Sequence, residues 1–310
     1  MNKHTAEPPH TSRYAQGQFS TWVSVVVNVV LTIAQAIIGV FAQSQALVAD
    51  AVHSLSDLLS DFVVLVANKQ GQKAPDADHH YGHLRFETAA SLVLGVLLLV
   101  VGIGMLWAAF SKLQDPALIP QVHWAALVAG ILTLACKEWL FRYLLRVGER
   151  VRSSMLIANA WHARSDAASS LVVVVGIGAN MMGFPMADPL AALIVGLMIG
   201  RMGWKFFYNA FSDLMDRAVD DDTENRIRTH LLSTPGVQGV HDLKTRKLGD
   251  MIWVEVDLEM DATLTIAQGH DIAVEARRRV IENEPVLDVM THFDPVDITT
   301  RAQAAPNPPS

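Results

Sequence analysis

The chain has 310 residues, of which 51% are hydrophobic and 18% charged, and its mean hydropathy is +0.27. This balance excludes an ordinary water-soluble enzyme and predicts that the chain meets lipid over much of its length. Residues 1–210 carry 14 Lys and Arg against 12 Asp and Glu, whereas residues 211–310 carry 10 against 19. Such an acidic tail argues against nucleic acid as a partner and favours cations as ligands. The single cysteine, Cys136, excludes a disulfide or a CxxC zinc site within one chain.

Residues 1–18 are polar, contain two prolines and lack the charged-then-apolar pattern of a signal peptide, which predicts a disordered N-terminal tail. Apolar stretches of about 20 residues follow, the length that an α-helix needs to cross a bilayer. They lie at residues 19–41, 46–68, 88–110, 122–145, 155–181 and 187–210. We therefore predict an α-helical membrane protein with six transmembrane helices within residues 19–211.

The basic residues of the connecting segments predict the orientation of these spans, because cytoplasmic loops are enriched in Lys and Arg. The N-terminal tail and the loops after the second and fourth spans contain several Lys and Arg residues, whereas the loops between them contain only Lys112. Both termini are therefore expected in the cytoplasm.

Beyond residue 211 the pattern becomes that of a soluble domain, with charges every few residues, and residues 212–296 predict a compact cytoplasmic α+β unit. Its predicted elements, in the order αββαβ, are Asp220–Leu232, Val237–Lys247, Met251–Met260, Thr265–Glu282 and Val286–Phe293. The second strand alternates apolar and acidic residues, which is typical of a strand with one buried face. Residues 297–310 are rich in Ala and Pro and predict a disordered C-terminal tail.

The second predicted span contains four ionisable residues, Asp50, His53, Asp57 and Asp61. On a helix that advances about 100° per residue they fall within an arc of about 80° and share one face. They also lower the hydropathy of this span, as His162, Arg164 and Asp166 lower that of the fifth. Ionisable residues within a span are costly, so a stripe of them indicates a functional site, with helix packing as the alternative.

His53 and Asp57 are four residues apart, as are His162 and Asp166, so each pair places an imidazole and a carboxylate one turn apart on a helix surface. Two such pairs facing each other supply two nitrogen and two oxygen ligands. This is the number and kind of ligand that tetrahedral Zn²⁺ accepts, although Co²⁺, Ni²⁺ and Cd²⁺ are also chemically suitable.

With these motifs the chain resembles the cation diffusion facilitator family of proton-coupled divalent-metal exporters. The resemblance covers Phe19 to Pro295 and rests on the stretches 49–57 (ADAVHSLSD), 76–83 (DADHHYGH), 161–166 (WHARSD) and 240–243 (VHDL). It implies a homodimer in the bacterial inner membrane, a metallochaperone-like cytoplasmic domain and a transport site formed by His53, Asp57, His162 and Asp166. His53 stands where many relatives that handle several metals have Asp, and this departure favours zinc.

The resemblance implies two further metal sites. In the loop between the second and third spans, Asp76, His79 and His83 match a cytoplasmic site, with Asp78 and His80 as rivals and solvated surface charge as the alternative. In the tail, His241, His270, His292 and Asp294 match a binuclear site at the dimer interface. Asp257 stands where relatives often have His, so the number of metals there stays open. Arg85 and Asp216 match a charged pair near the dimer axis.

These features predict a Zn²⁺/H⁺ antiporter that exports metal from the cytoplasm by alternating access, with zinc in the tail as a regulator. An exporter of another divalent metal (Fe, Co, Ni, Cd or Mn) and a membrane metal sensor that does not transport remain alternatives. An intramembrane metalloenzyme is disfavoured because the chain has no HExxH motif to supply a general base.

Overall fold

The computed structural model describes residues 10–71, 73–115, 119–151 and 154–297. The long helices are α1 (His10–Phe41), α2 (Gln45–Gly71), α3 (Arg85–Gln114), α4 (Trp124–Val151), α5 (Ser154–Met181) and α6 (Ala187–Leu214). They are followed by α7 (Asp221–Leu232), β1 (Gly239–Leu248), β2 (Met251–Asp261), α8 (Ile266–Asn283) and β3 (Val286–Val296). The predicted fold, six long helices and then an αββαβ unit, is confirmed.

The N-terminal boundary differs from the prediction. Helix α1 begins at His10, whereas the sequence analysis places residues 10–18 in the predicted N-terminal tail. A helix that is already nucleated gains one hydrogen bond for each residue it adds, and Pro8 and Pro9 lie just before its start, where proline is tolerated. Residues 1–9 and 298–310 lie outside the described part of the chain.

Hydropathy alone identifies only some of the long helices as membrane spans. In the described residues, four segments are long and apolar enough: Trp22–Phe41, Arg85–Gln114, Trp124–Arg150 and Ala187–Leu214. The helices α2 and α5 are absent from this set, as expected from the ionisable residues on their surfaces. The helices that fail the hydropathy test are therefore those that carry the predicted transport site.

The chain divides into two compact units that are discontinuous in sequence. One contains residues 1–63 and 94–206, and the other contains residues 64–93 and 207–310. The loop between α2 and α3 thus groups with the C-terminal sheet rather than with the helical unit. The predicted domain boundary at residues 211 and 212 falls within the last turns of α6.

Small residues allow helices to approach closely in the first unit. A Cβ atom on Gly102 of α3 would lie 2.9 Å from the backbone nitrogen of Gly200 on α6. A Cβ on Gly176 of α5 would likewise lie 2.5 Å from the Cβ of Ala191. Membrane helices associate through such contacts because van der Waals packing replaces the hydrophobic effect between them.

The start of α2 is fixed by a residue from α6. The carboxylate of Asp188 accepts a hydrogen bond from the Ser44 hydroxyl at 2.6 Å and bonds from the backbone amides of Gln45 and Ala46 at 2.7 and 3.3 Å. The Ser44 oxygen in turn accepts from the amide of Leu47. These contacts satisfy the free N–H groups that begin every helix, and they anchor the helix that carries His53 and Asp57.

The second unit contains a three-stranded sheet in the order β1-β2-β3, in which β1 and β2 are antiparallel and β2 and β3 are parallel. Ile252, Val254, Val256, Leu258 and Met260 alternate along β2 and are buried, as the sequence pattern predicts. They pack against α7 and α8 through a common apolar core. A capping box between Thr265 and Gln268 begins α8.

The close approach of α3 and α6 leads to a testable prediction. We expect Gly102→Ala to destabilise the protein by about 1–3 kcal/mol, because the added methyl group must displace the backbone at Gly200. Thermal unfolding in detergent measures the effect. Gly104→Ala is the matched control, since within the described residues a Cβ atom at this position would meet nothing within 4 Å. Equal melting temperatures for the two variants would show that the two helices accommodate the added methyl group at no cost.

Candidate metal centres

The helices α2 and α5 bring three predicted transport ligands together. Each of His53, Asp57 and Asp166 offers one ligand atom, and these atoms lie within 4.8 Å of one another. The Nε2 of His53 is 4.0 Å from the Oδ2 of Asp57, one turn further along α2. One imidazole and two carboxylates therefore converge on a single point inside the first unit.

The burial of these groups fits a cation at that point. Only 9% of the His53 side chain and 16% of the Asp57 and Asp166 side chains is exposed. The Nδ1 of His53 and the Oδ2 of Asp57 are buried without a hydrogen-bond partner in the described part of the chain. Buried polar atoms are normally paired, so these two are available to a metal or to protons.

The fourth predicted ligand, His162, does not join this cluster. Its Nε2 lies 3.8 Å from Asp166, but 59% of its side chain is exposed. It lines the same small cavity of about 80 Å³ as Asp57 and Asp166. Ser24 and Asn28 of α1 also line this cavity. The sequence thus identifies the residues around the cavity, and the structure separates three converging ligands from one at the rim.

The polar stripe on α2 divides into groups with different surroundings. Asp61 is exposed at the cavity, whereas Asp50 is fully buried and 3.5 Å from the ammonium of Lys137 on α4. Lys137 is not among the site residues predicted from the sequence. The signal that identifies it is a lysine that follows a long apolar run of the fourth predicted span, since charged residues are costly in a membrane.

A second cluster lies in the loop between α2 and α3. The two carboxylate oxygens of Asp76 lie 3.3 Å from the Nδ1 of His79 and 3.3 Å from the Nε2 of His83. The loop is shaped by the amides of Asp78 and His79, which both donate to Asp76, and by Gly82, whose φ of +78° favours glycine. These three predicted ligands therefore meet.

The surroundings of Asp76 favour its charged form. The pKa of Asp76 is lowered, chiefly because the backbone amide of His79 donates to its carboxylate. This interaction stabilises the loop above the ordinary pKa of an aspartate and is lost as the pH falls through the lowered value. Of the rivals in the loop, Asp78 contacts Asp76 through its backbone, and His80 lines a neighbouring cavity with Lys73. In the described residues, neither belongs to the cluster.

The sheet of the second unit brings the third cluster together. Register places His241 of β1 opposite Asp257 of β2, and Asp257 opposite His292 of β3. The ligand atoms of His241, Asp257 and Asp294 lie within 4.8 Å of one another, and the Nε2 of His241 is 2.8 Å from Asp294. The other oxygen of Asp294 is 3.4 Å from His292. His270, on α8, is exposed and outside the cluster.

The predicted charged pair is present. The guanidinium of Arg85 donates to the carboxylate of Asp216, which Arg246 also approaches at 3.9 Å. Arg246 in turn lies over the rings of Tyr81 and Trp253, at 5.9 and 5.6 Å from their centroids. Within the second unit, the loop that carries the Asp76 cluster is thus joined to the sheet through aromatic and charged groups.

Two family models together match most of the chain. One, described as the cation efflux transmembrane domain, matches residues 21–215. The other, described as the cytoplasmic domain of a cation efflux protein, matches residues 219–296. The boundary between the two matches lies close to the end of α6.

Individual relatives are named for metal tolerance or metal efflux. Metal tolerance protein C1 of Arabidopsis thaliana is 33% identical over 94% of this chain and 66% of its own length. The manganese efflux system protein MneS of Bacillus subtilis is 32% identical over 91% of this chain and 97% of its own length. A solved structure, the metal-bound C-terminal domain of the CzcD transporter from Thermotoga maritima, is 25% identical, with a TM-score of 0.23. It aligns with 24% of this chain and 87% of that domain.

The geometry of the sheet cluster predicts the effect of removing Asp294. We expect Asp294→Asn to weaken zinc binding at this cluster. The affinity should fall by more than the 10–100-fold that is typical when a group that only hydrogen-bonds to a metal ligand is removed. The physical reason is that its carboxylate lies between His241 and His292. Calorimetric titration of the full-length protein with Zn²⁺ measures the change.

Asp242→Asn is the control for this experiment, because Asp242 is 3.5 Å from the other ring nitrogen of His241 and lies outside the cluster. An Asp294→Asn protein with the same number and affinity of zinc sites as Asp242→Asn would exclude this cluster as a zinc site.

Proposed function

We propose that this chain, which belongs to the cation diffusion facilitator family, exports Zn²⁺ from the cytoplasm in exchange for protons. Membership of the family follows from the two models that match residues 21–215 and 219–296. The chain is a multi-pass membrane protein, and in this proposal both of its termini are cytoplasmic and it lies in the inner membrane. The observation that carries the proposal is the convergence of His53, Asp57 and Asp166 inside the helical unit.

The ligand types support zinc as the cargo. An imidazole and two carboxylates supply three of the four ligands that tetrahedral Zn²⁺ accepts. His162 is the fourth ligand in this proposal, since it lies one turn from Asp166 and on the same cavity. Replacing a carboxylate by the His53 imidazole reduces the negative charge of the site, which disfavours harder ions such as Mn²⁺ and Mg²⁺.

Manganese export is the second candidate. It is favoured by the Bacillus subtilis relative, which is named as a manganese efflux protein and is 32% identical. The two candidates differ in the metal that the His53 cluster prefers, so a competition assay separates them.

Exchange with protons follows from the chemistry of the ligands. Zinc binds neutral imidazole and ionised carboxylate, so its arrival displaces protons from the cluster, and a lower pH on the far side promotes its release there. The bundle then has to expose the cluster to each side in turn. An inward proton gradient drives zinc outward by this cycle.

The remaining clusters have supporting roles in this proposal. The chain works as a homodimer, and zinc held by His241, Asp257 and Asp294 regulates how the cytoplasmic domains associate. His270 and His292 complete the site in the dimer. The cluster of Asp76, His79 and His83 captures metal on the cytoplasmic side. A sensor without transport activity would bind zinc at all of these sites and move none across a vesicle membrane.

The identity of residue 53 is expected to control selectivity. In proteoliposomes, His53→Ala should lower zinc uptake by more than about tenfold, because a buried ligand is lost. His53→Asp should retain transport and increase the uptake of Mn²⁺ and Cd²⁺ relative to Zn²⁺, because a harder ligand replaces the imidazole. His123→Asn, at an exposed position before α4, is the control. An unchanged zinc preference in His53→Asp would refute the selectivity argument.

The carboxylates of the cluster are expected to carry the exchanged protons. In Asp57→Asn and in Asp166→Asn, the release of protons on zinc addition, followed with a pH-sensitive dye, should fall well below that of the wild type. Asp61→Asn should keep this release, because Asp61 shares the stripe on α2 but lies outside the cluster. Wild-type proton release in either cluster variant would assign that carboxylate to helix packing.

A further inference from the structure

A second buried polar group lies next to the proposed transport cluster. The ammonium of Lys137 donates to the hydroxyls of Ser54 and Ser170 at 3.2 and 2.8 Å and lies 3.5 Å from the carboxylate of Asp50. Asp50 also accepts from the amide of Gln35 at 2.6 Å and from Ser170 at 2.7 Å. The Lys137 group, defined as Lys137, Asp50, Gln35, Ser54 and Ser170, therefore joins α1, α2, α4 and α5.

The Lys137 group lies on one side of the metal cluster along the helix axes. Asp50 precedes His53 by three residues on α2, and Ser170 follows Asp166 by four residues on α5. Both steps cover about one helical turn of 5.4 Å. They lead to the same end of the bundle, where α2 begins and α5 ends. Hydrogen bonds at this end join Ser44 to Asp188 and Val122 to Asn180.

Exposure differs sharply between the two sides of the cluster. Asp50 is 0% exposed, Lys137 3%, Ser170 1% and Gln35 1%. On the other side, Asp61 and His162 are exposed where they line the cavity. Exposed groups therefore line the cavity towards the end of α2, whereas the buried Asp50, Gln35 and Ser170 lie towards its start.

A positive charge in this position has a consequence for a cation that crosses the bundle. Lys137 lines the same cavity as Asp57 and Asp166, so a divalent ion that leaves the cluster towards the start of α2 meets a fixed ammonium. Repulsion between like charges is strong where water is scarce.

We infer that Lys137 is a gate residue, which blocks the outer side of the transport path until α2, α4 and α5 separate around Asp50. This inference rests on the proposed transport of metal by the His53 cluster. The competing explanation is that the ion pair only fastens the helices, as buried ion pairs in membrane proteins commonly do. Removing Lys137 alone would leave Asp50 buried and unpaired, which destabilises a protein in either case.

The discriminating variant removes both charges together. Asp50→Asn combined with Lys137→Met leaves no unpaired buried charge and keeps the net charge beside the cluster unchanged. We therefore expect a folded protein with the zinc affinity of the wild type, as measured by calorimetry. Lys137→Arg keeps the positive charge, and Lys205→Met, at an exposed position on α6, is the matched control for the loss of a lysine.

The measurement is zinc entry into proteoliposomes down a zinc gradient at equal pH on both sides. If Lys137 is a gate, the double variant should admit zinc about tenfold faster than the wild type, which corresponds to a barrier lowered by about 1.4 kcal/mol. Lys137→Arg and Lys205→Met should admit zinc at the wild-type rate. A folded double variant with the wild-type rate of entry would overturn the inference.

A second measurement leaves Lys137 and Asp50 in place. Ser54 and Ser170 bond the same nitrogen, so cysteines at both positions lie within reach of a short bifunctional thiol reagent. With Cys136→Ser to remove the native thiol, cross-linking should stop pH-driven zinc transport, and reduction should restore it. Cross-linked protein that transports zinc at the rate of its reduced form would overturn the inference that Lys137 is a gate residue.

Failure of the wild type to move zinc under a pH gradient would instead overturn the proposed function.

Discussion

A charged side chain within a membrane-spanning bundle is stable only where another group in the bundle interacts with it, and this constraint organises the helical unit. Asp50 meets it through Lys137, Gln35 and Ser170. Asp57 and Asp166 satisfy this constraint in a different way. Each of the two carboxylates lies near the other and near His53 rather than near a fixed cation. Among the buried charges that the structure describes in this unit, those without a permanent partner are therefore the ones that a mobile cation can bind.

The three clusters share histidine and aspartate but differ in what holds them in place. The cluster in the bundle depends on two helices, and its ligands change position when these helices move. The loop cluster is shaped by backbone hydrogen bonds to Asp76 and therefore forms within a few residues. The sheet cluster depends on strand register, which is fixed by the buried alternation along β2. These differences in scaffold suit the proposed roles, a mobile site for cargo and more rigid sites for regulation.

The proposed cycle uses one bundle for two tasks that oppose each other. The cluster must attract a divalent cation strongly enough to displace protons, and the path beyond it must stay closed until the protein changes conformation. In this proposal the carboxylates of Asp57 and Asp166 perform the first task and the ammonium of Lys137 performs the second. Asp50, the ion-pair partner of that ammonium, lies about one helical turn from His53, so a movement of α2 affects both.

The sequence by itself determined the six long helices, the αββαβ unit and the stripe on α2, because these depend on local periodicity and on the cost of charge in a lipid-facing helix. It also identified the pairs one turn apart on α2 and α5. Only the tertiary structure decided that Asp166 joins His53 while His162 stays at the rim, and that Asp50 belongs to Lys137. Such contacts depend on the rotation and packing of separate helices. Spacing along a chain fixes which residues share a face, but it does not fix which face of a distant helix lies opposite.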